Sequence, residues 1–299
     1  MRISNGVAEA DAVFDEIEEL GLQQNVAELD LYGLTVVEPS KAAPEGFALK
    51  LRDALIDLAR RRTGLEWDLE KGLVGDNGET SPHLHLWWVI MEGEIFEEAL
   101  MNRCALALVT YLLGQYCILS GQSAMLKAPS DQFGFTPLHI DNAFQPAPLP
   151  AYAQVANASW ALTDYTRDSG CLCYVPGSHK LCSPPANPFK DVDFDKAGAV
   201  PVEVEQGSLI VWHGNTWHGA YARKNPGLRV NLIHDIRRSY MFPEERYKGH
   251  VSQEMLDRNP PRFARLLQQE HPFGWEGPEA YDREAMAKAT TQWGKSIFS

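Results

Sequence analysis

The sequence predicts a mainly β protein with flanking α-helices, and three observations predict it. From Tyr116 to about Arg237 the apolar stretches are short and rich in β-formers, among them "YCILSGQSAML", "QVANASWAL", "GCLCYVPG", "GSLIVWHG" and "RVNLIHDI". Gly, Pro and Asn separate them, and no helical period intervenes, the pattern of an antiparallel sandwich or barrel. Amphipathic helical patterns lie before and after this region. In 299 residues there is no internal repeat, low-complexity tract or long linker. The economical organisation is one domain over 1–299, with a helical N-terminal wrap at 1–115, a β core at 116–237 and a C-terminal helical segment at 238–299.

The elements follow in order. An acidic helix is expected over Glu9–Glu19. "LDLYGLTVVEP" (Leu29–Pro39) reads as a short strand with a turn at Gly33. Gly46–Arg62 repeats apolar residues at helical spacing, with Leu49, Leu51, Leu55, Ile56 and Leu58 as its stripe. One helix is expected from Ile95 to Leu113, stopped by Gly114. After the β-rich half, helical character returns beyond Pro243 in "QEMLDRNPPRFARLLQQ" and near the C-terminus.

Composition excludes several function classes. The chain is 44% hydrophobic with a formal net charge of -13 and a pI near 5.1. Such a surface repels phosphate backbones and anionic lipid, so neither nucleic acid nor a membrane is an expected partner. No apolar run approaches the roughly 20 residues of a membrane-spanning helix. The acidic N-terminus lacks the apolar stretch of a secretory signal. The five cysteines form no Cys-x-x-Cys pair, which fits free thiols in a reducing cytoplasm.

The chemistry concentrates in "PLHIDNAF", Pro137–Phe144. In an extended segment residues i and i+2 share a face, so His139 and Asp141 can reach one metal ion. A third ligand is available from His213, His218 or His234 downstream. Two imidazoles and one carboxylate on one face form the facial triad of non-haem Fe(II) oxygenases, with positions left open. Arg229 follows His218 by eleven residues, after the turn "KNPG". A hairpin there would return it beside the strand of His218, where a buried guanidinium can grip a carboxylate. "HLHLWW" (His83–Trp88) holds a further His pair without a third ligand at comparable spacing, and reads as an apolar, substrate-facing segment.

With "HID" at His139–Asp141, "SWALTDYTRDSGCLCYVPGSHK" at Ser159–Lys180, "GSLIVWHGNTWHGA" at Gly207–Ala220, and Arg229, the sequence resembles the phytanoyl-CoA dioxygenase family of Fe(II)/2-oxoglutarate-dependent oxygenases. These pieces cover the β-rich half in the family's order. The resemblance implies a double-stranded β-helix (jelly roll, cupin-like) for the core. It implies His139, Asp141 and His218 as iron ligands and catalytic residues, His218 being preferred to His213 because "WHGA" and the following Arg match the family's pattern. Arg229 then matches the residue that holds the distal carboxylate of 2-oxoglutarate. Trp160 stands where the family flanks that co-substrate, or is an ordinary core aromatic. Lys127 lies near a co-substrate contact of relatives such as ectoine hydroxylase, or is a solvated strand end. Asn157 either points inward beside Trp160 or pairs across the sheet, and Gln122 is a similar candidate on the strand leading to Lys127.

Two departures sharpen the expectation. The substrate signature of ectoine hydroxylases is missing, with "NAFQPAPLPAYAQ" in its place. The carboxylate Asp141 is present where halogenases of this type carry a small residue, which favours oxidation without halide. The implied function is an Fe(II)/2-oxoglutarate-dependent dioxygenase that uses O2 to hydroxylate a small organic metabolite. The alternative is a cupin-like metal-binding protein without 2-oxoglutarate turnover. "RRSYMFPEERYKGH" is placed either to close over the pocket or to form a homodimer contact.

Overall fold

The computed structural model describes residues 5–75, 81–130, 135–142, 145–186 and 193–270. In chain order the elements are α1 (Asn5–Glu19), α2 (Gln23–Tyr32), β1 (Leu34–Val37), α3 (Pro39–Ala42), α4 (Phe47–Thr63), β2 (Glu66–Asp68), β3 (Gly72–Val74) and β4 (His83–Leu86). Then come α5 (Glu94–Leu100), α6 (Arg103–Leu113), β5 (Cys117–Lys127), β6 (Thr136–His139), β7 (Val155–Ala161) and β8 (Leu172–Tyr174). The last are β9 (Val200–Pro201), β10 (Leu209–His213), β11 (His218–Ala220), β12 (Arg229–Arg238), α7 (Gln253–Arg258) and α8 (Pro261–Leu266). The expected helices near the C-terminus beyond residue 270 lie outside the described residues.

Two antiparallel sheets carry the molecule. One has six strands in the order β1-β10-β7-β12-β5-β4, the other four in the order β6-β11-β8-β9. One face of the six-stranded sheet, including Ala124, Leu126, Ala158, Trp160, Val230 and Leu232, packs into a core with Leu55 and Leu58 of α4, Ala99 of α5 and Leu108 of α6. The opposite face turns toward the four-stranded sheet, where Leu34, Ile210 and Trp212 join Leu138 and Cys173 in a second core. The central strand β7 is therefore buried at all seven positions, as expected for a strand covered on both faces.

Several local expectations change. Leu29–Tyr32 finishes α2 instead of starting a strand, and Gly33 caps it at φ +82° with its N–H donating to the Leu29 carbonyl. The strand begins only at Leu34. The single helix over Ile95–Leu113 is two, because Asn102 caps α6 by accepting from the Ala105 N–H. In α4, Leu51, Leu55, Ile56 and Leu58 are buried as the stripe predicts, but Leu49 is 44% exposed. Arg229 does not return in a hairpin beside His218: β11 pairs with β6 and β8, whereas β12 pairs with β5 and β7 in the other sheet. The two residues meet across the space between the sheets instead.

Candidate metal centre and its cavity

The strand pair β6–β11 builds the centre. His218 is the register partner of His139, which sets the two imidazoles 4.2 Å apart between ring centroids. A side chain at the intervening Gly219 could not fit, since a Cβ there would lie 2.5 Å from the Thr136 carbonyl oxygen and 3.1 Å from that of Pro137. Asp141 lies just past β6, its backbone N–H donating to the Gly214 carbonyl at 2.9 Å. One ligand atom from each of His139, Asp141 and His218 lies within 4.8 Å of the others.

The donor set is arranged for one ion. Each imidazole has its Nδ1 against a backbone carbonyl two residues earlier, Pro137 for His139 at 2.8 Å and Thr216 for His218 at 2.9 Å. That orientation presents the Nε2 lone pairs to the centre. Asp141 Oδ2 accepts from Asn157 Nδ2 at 2.8 Å and Trp212 Nε1 at 3.1 Å. Its other oxygen, Oδ1, is left 3.5 Å from His218 Nε2. Burial holds the His218 pKa down to about 4, with the Asp141 charge pulling the other way, so its ring stands ready as a neutral ligand.

A cavity of about 330 Å³ opens on the three residues. At one end Arg229 is 3% exposed, its guanidinium donating to the Gly170 carbonyl at 2.7 Å and to Asn231 Oδ1 at 3.2 Å. Its Nε has no partner among the described residues. Beside it in register is Lys127, 1% exposed, whose Nζ is also without a partner. Burial and the Arg229 charge push the Lys127 pKa down to about 7. The buried Arg229 guanidinium, with a spare donor on the cavity wall, fits a carboxylate bound beside a metal; Lys127 is not among the cavity-lining residues.

The remaining site expectations divide by strand face. Asn157 points into the cavity, but its amide is occupied with Asp141. Trp160 and Gln122 do not reach the cavity. Trp160 is fully buried on the helix-facing side, with Phe47 of α4 at 5.5 Å between ring centroids. Gln122 donates to the Phe96 carbonyl at 2.9 Å and meets His234 Nδ1 at 3.2 Å in the same layer. Alternation along β7 and β5 sends them away from Asn157 and Ser123. His213 is likewise turned off, its ring 5.2 Å from that of His179 and its Nδ1 accepting from the Asn215 N–H. Of the "HLHLWW" segment, His85 and Trp87 do line the cavity.

Sequence reasoning missed Trp212 as a partner of Asp141, and Asn231 as a partner of Arg229. It also missed Asp235, while Arg237 and Glu244 enter it only as part of "RRSYMFPEERYKGH", expected either over the pocket or at a dimer contact. A partial signal existed: in an extended "RVNLIHD" the polar Arg229, Asn231 and Asp235 share one face, interrupted there only by Ile233.

An antiparallel β protein with two imidazoles and a carboxylate converging on a cavity belongs to the facial-triad class of mononuclear metal sites. Its family follows from comparison: the chain belongs to the phytanoyl-CoA dioxygenase (PhyH) family, whose profile matches residues 53–231. An uncharacterized Mycobacterium tuberculosis protein is 29% identical over 165 residues, 54% of this chain and 58% of that protein. The dioxygenase af480 of Aspergillus fumigatus is 28% identical over 195 residues, 64% of this chain and 57% of its own. The matched part is thus somewhat over half the length of these relatives. Among solved structures, HygX from Streptomyces hygroscopicus with nickel and 2-oxoglutarate bound superposes with a TM-score of 0.57 at 17% identity, over 74% of this chain and 88% of its own. The epimerase SnoN from nogalamycin biosynthesis gives 0.55 at 21% identity, over 73% and 81%. The fold is therefore shared well beyond recognisable sequence. No helix among the described residues is long and apolar enough to cross a membrane.

Proposed function

We propose that the protein is an Fe(II)/2-oxoglutarate-dependent dioxygenase built on a jelly-roll core, and that it hydroxylates a small organic molecule. The observation that carries the reading is the convergence of His139, Asp141 and His218 on a cavity whose far wall holds the buried Arg229 with a spare donor. Iron held by that triad would supply the oxidation, in which O2 and 2-oxoglutarate give succinate and CO2 while a substrate C–H bond becomes C–OH.

The chain's own residues do the rest. His139 and His218 turn their Nε2 atoms toward the centre through their anchored Nδ1 atoms. Asn157 and Trp212 fix the Asp141 carboxylate so that one oxygen is free for the metal. Arg229, steadied by the Gly170 carbonyl and Asn231, takes a carboxylate of the co-substrate. Lys127, its register neighbour, adds a buried amine whose pKa burial pushes down to about 7. Relatives of this fold named as an epimerase and a carbocyclase make the substrate's placement, not the fold, the determinant of outcome.

The test is anaerobic reconstitution with Fe(II), followed by 2-oxoglutarate titration and O2-dependent succinate release. Arg229→Ala should weaken 2-oxoglutarate binding about a hundredfold or more, as expected for a buried charge left unpaired, and leave iron affinity near that of the parent. A parent protein that binds iron but not 2-oxoglutarate would point to a metal-binding protein without this turnover.

A further inference from the structure

The centre's cavity continues outward, and the outer part has a different chemistry from the Arg229 end. A second cavity of about 610 Å³ adjoins it, and the two share Asp141 and Glu244 in their linings. Asp235 lines the inner cavity, while Asn142, Arg237, Tyr240 and Phe242 line the outer one. The segment after β12 is pinned in place. Glu244 N–H donates to Ser120 Oγ at 3.0 Å, Glu245 N–H to the Ser120 carbonyl at 2.7 Å, and the buried Glu245 carboxylate accepts from Trp88 N–H at 2.8 Å.

The Arg237 donors in this outer part are largely used, while the Gln145 amide also lines it. Arg237 gives Nε to Asp235 Oδ1 at 2.9 Å and Nη2 to Asp235 Oδ2 at 3.1 Å. Its Nη2 also donates to Glu244 Oε1, and its Nη1 to the Phe242 carbonyl at 3.2 Å. Four of its five N–H groups are thereby committed within the protein. The acceptors are not all used. Asn142 is 2% exposed, and its Oδ1 has no partner among the described residues. Glu244 keeps a free oxygen, and its side chain is 38% exposed at the junction of the two cavities. Arg237 balances one carboxylate, and burial pushes the Asp235 pKa up to about 7, so at neutral pH the cluster carries only a fractional surplus of negative charge. Arg246 stacks on Phe242 at 4.7 Å, but it is exposed and lines neither cavity, so solvent screens it.

We propose that this outer compartment selects a substrate bearing a protonated amine, which Glu244 and the Asn142 carbonyl receive while Tyr240 and Phe242 cover its apolar part. This deepens the dioxygenase reading and rests on it. A buried unpartnered acceptor and a carboxylate oxygen that Arg237 leaves open both suit an N–H donor of positive charge. The same features repel carboxylates and phosphates, so acyl-CoA esters, the substrates that the family's name suggests, do not suit this chain.

The experiment uses the full chain loaded anaerobically with Fe(II) and 2-oxoglutarate. Tryptophan fluorescence is titrated with carbon-matched sets: 2-phenylethylamine, 2-phenylethanol and phenylacetate, and hexylamine to decylamine with the corresponding alcohols and carboxylates. Trp87 and Trp212 line the cavity and report occupancy. At least one amine should bind about tenfold or more tighter than its alcohol, a difference of about 1.4 kcal/mol, and its carboxylate should bind more weakly still. Glu244→Gln should abolish that preference with iron and 2-oxoglutarate affinities unchanged. Equal binding within every set, tighter carboxylates, no binding by any amine, or a preference that survives Glu244→Gln overturns the inference. If the parent chain takes up no iron or 2-oxoglutarate, the dioxygenase reading is what fails, and the same titrations on the metal-free chain still judge the amine site.

Discussion

Asn157→Ala tests the centre through a residue that does not offer a ligand atom itself. Asp141 Oδ2 accepts two hydrogen bonds, from Asn157 Nδ2 at 2.8 Å and Trp212 Nε1 at 3.1 Å. A hydrogen bond to a charged acceptor contributes about 1.5–3 kcal/mol. Without the shorter one, the carboxylate is free to rotate about its side-chain bond, and the oxygen that should face the metal loses its fixed position. At about 1.4 kcal/mol per factor of ten, the loss corresponds to roughly ten- to a hundredfold in metal affinity, the range typical of partners that orient metal ligands. The assay is an anaerobic competition titration of Fe(II) or Co(II) against a chelator, on variants whose thermal melts show them folded. Ser159→Ala is the matched control. It lies on the same strand and the same face, but its hydroxyl contacts Asn231 at 3.4 Å and not Asp141. Wild-type affinity in Asn157→Ala, or an equal loss in Ser159→Ala, would refute the reasoning.

Other consequences can be checked alongside. Gly219→Ala forces β11 away from the Thr136 carbonyl; it should cost about 1–3 kcal/mol in urea unfolding and weaken metal binding, because His139 and His218 depend on that pairing. The metal-free protein should be acid-labile. Burial holds His213 at about 4 and His234 at about 3, below the usual 6.5, so the unfolded chain binds protons that the folded chain does not. Unfolding free energy should therefore fall from about pH 6.5 to pH 4, by about 1.4 kcal/mol per pH unit for each such group. Urea melts at stepped pH measure this, and His234→Gln should make the decline shallower; an unchanged slope would place the acid sensitivity elsewhere.

The sequence made the candidate metal ligands legible because their cues are local. His139 and Asp141 sit two apart on an extended segment, and "WHGA" combines a ligand with the glycine that lets β11 approach β6. Face assignment was not legible in β7. All seven of its residues are buried, so hydrophobicity marks neither the cavity side nor the helix side, and Trp160 falls opposite Asn157. The hairpin expected around Arg229 failed for another reason. A turn such as "KNPG" shows that the chain reverses, but not whether the next strand joins the same sheet. The roles of Glu244 and Arg237 stayed hidden because they depend on Ser120 and Asp235, contacts made only after the sheet has formed.

The family profile spans 53–231, and the boundaries of the fold are wider. The hydrogen-bonded strand β12 continues to Arg238, seven residues past the profile's end, and pairs with β5 and β7 over that length. At the other end, β1 covers β10, and the Gly33 carbonyl accepts from His213 N–H at 2.9 Å and Thr216 Oγ1 at 2.8 Å, immediately upstream of His218. A fragment trimmed to the shared region would keep all three triad residues and Arg229 yet bare the edge of β10 and cut β12 short, inviting intermolecular pairing. The span that the family profile matches is thus smaller than what must fold together here, and the flanks beyond it are part of what holds the candidate site in shape.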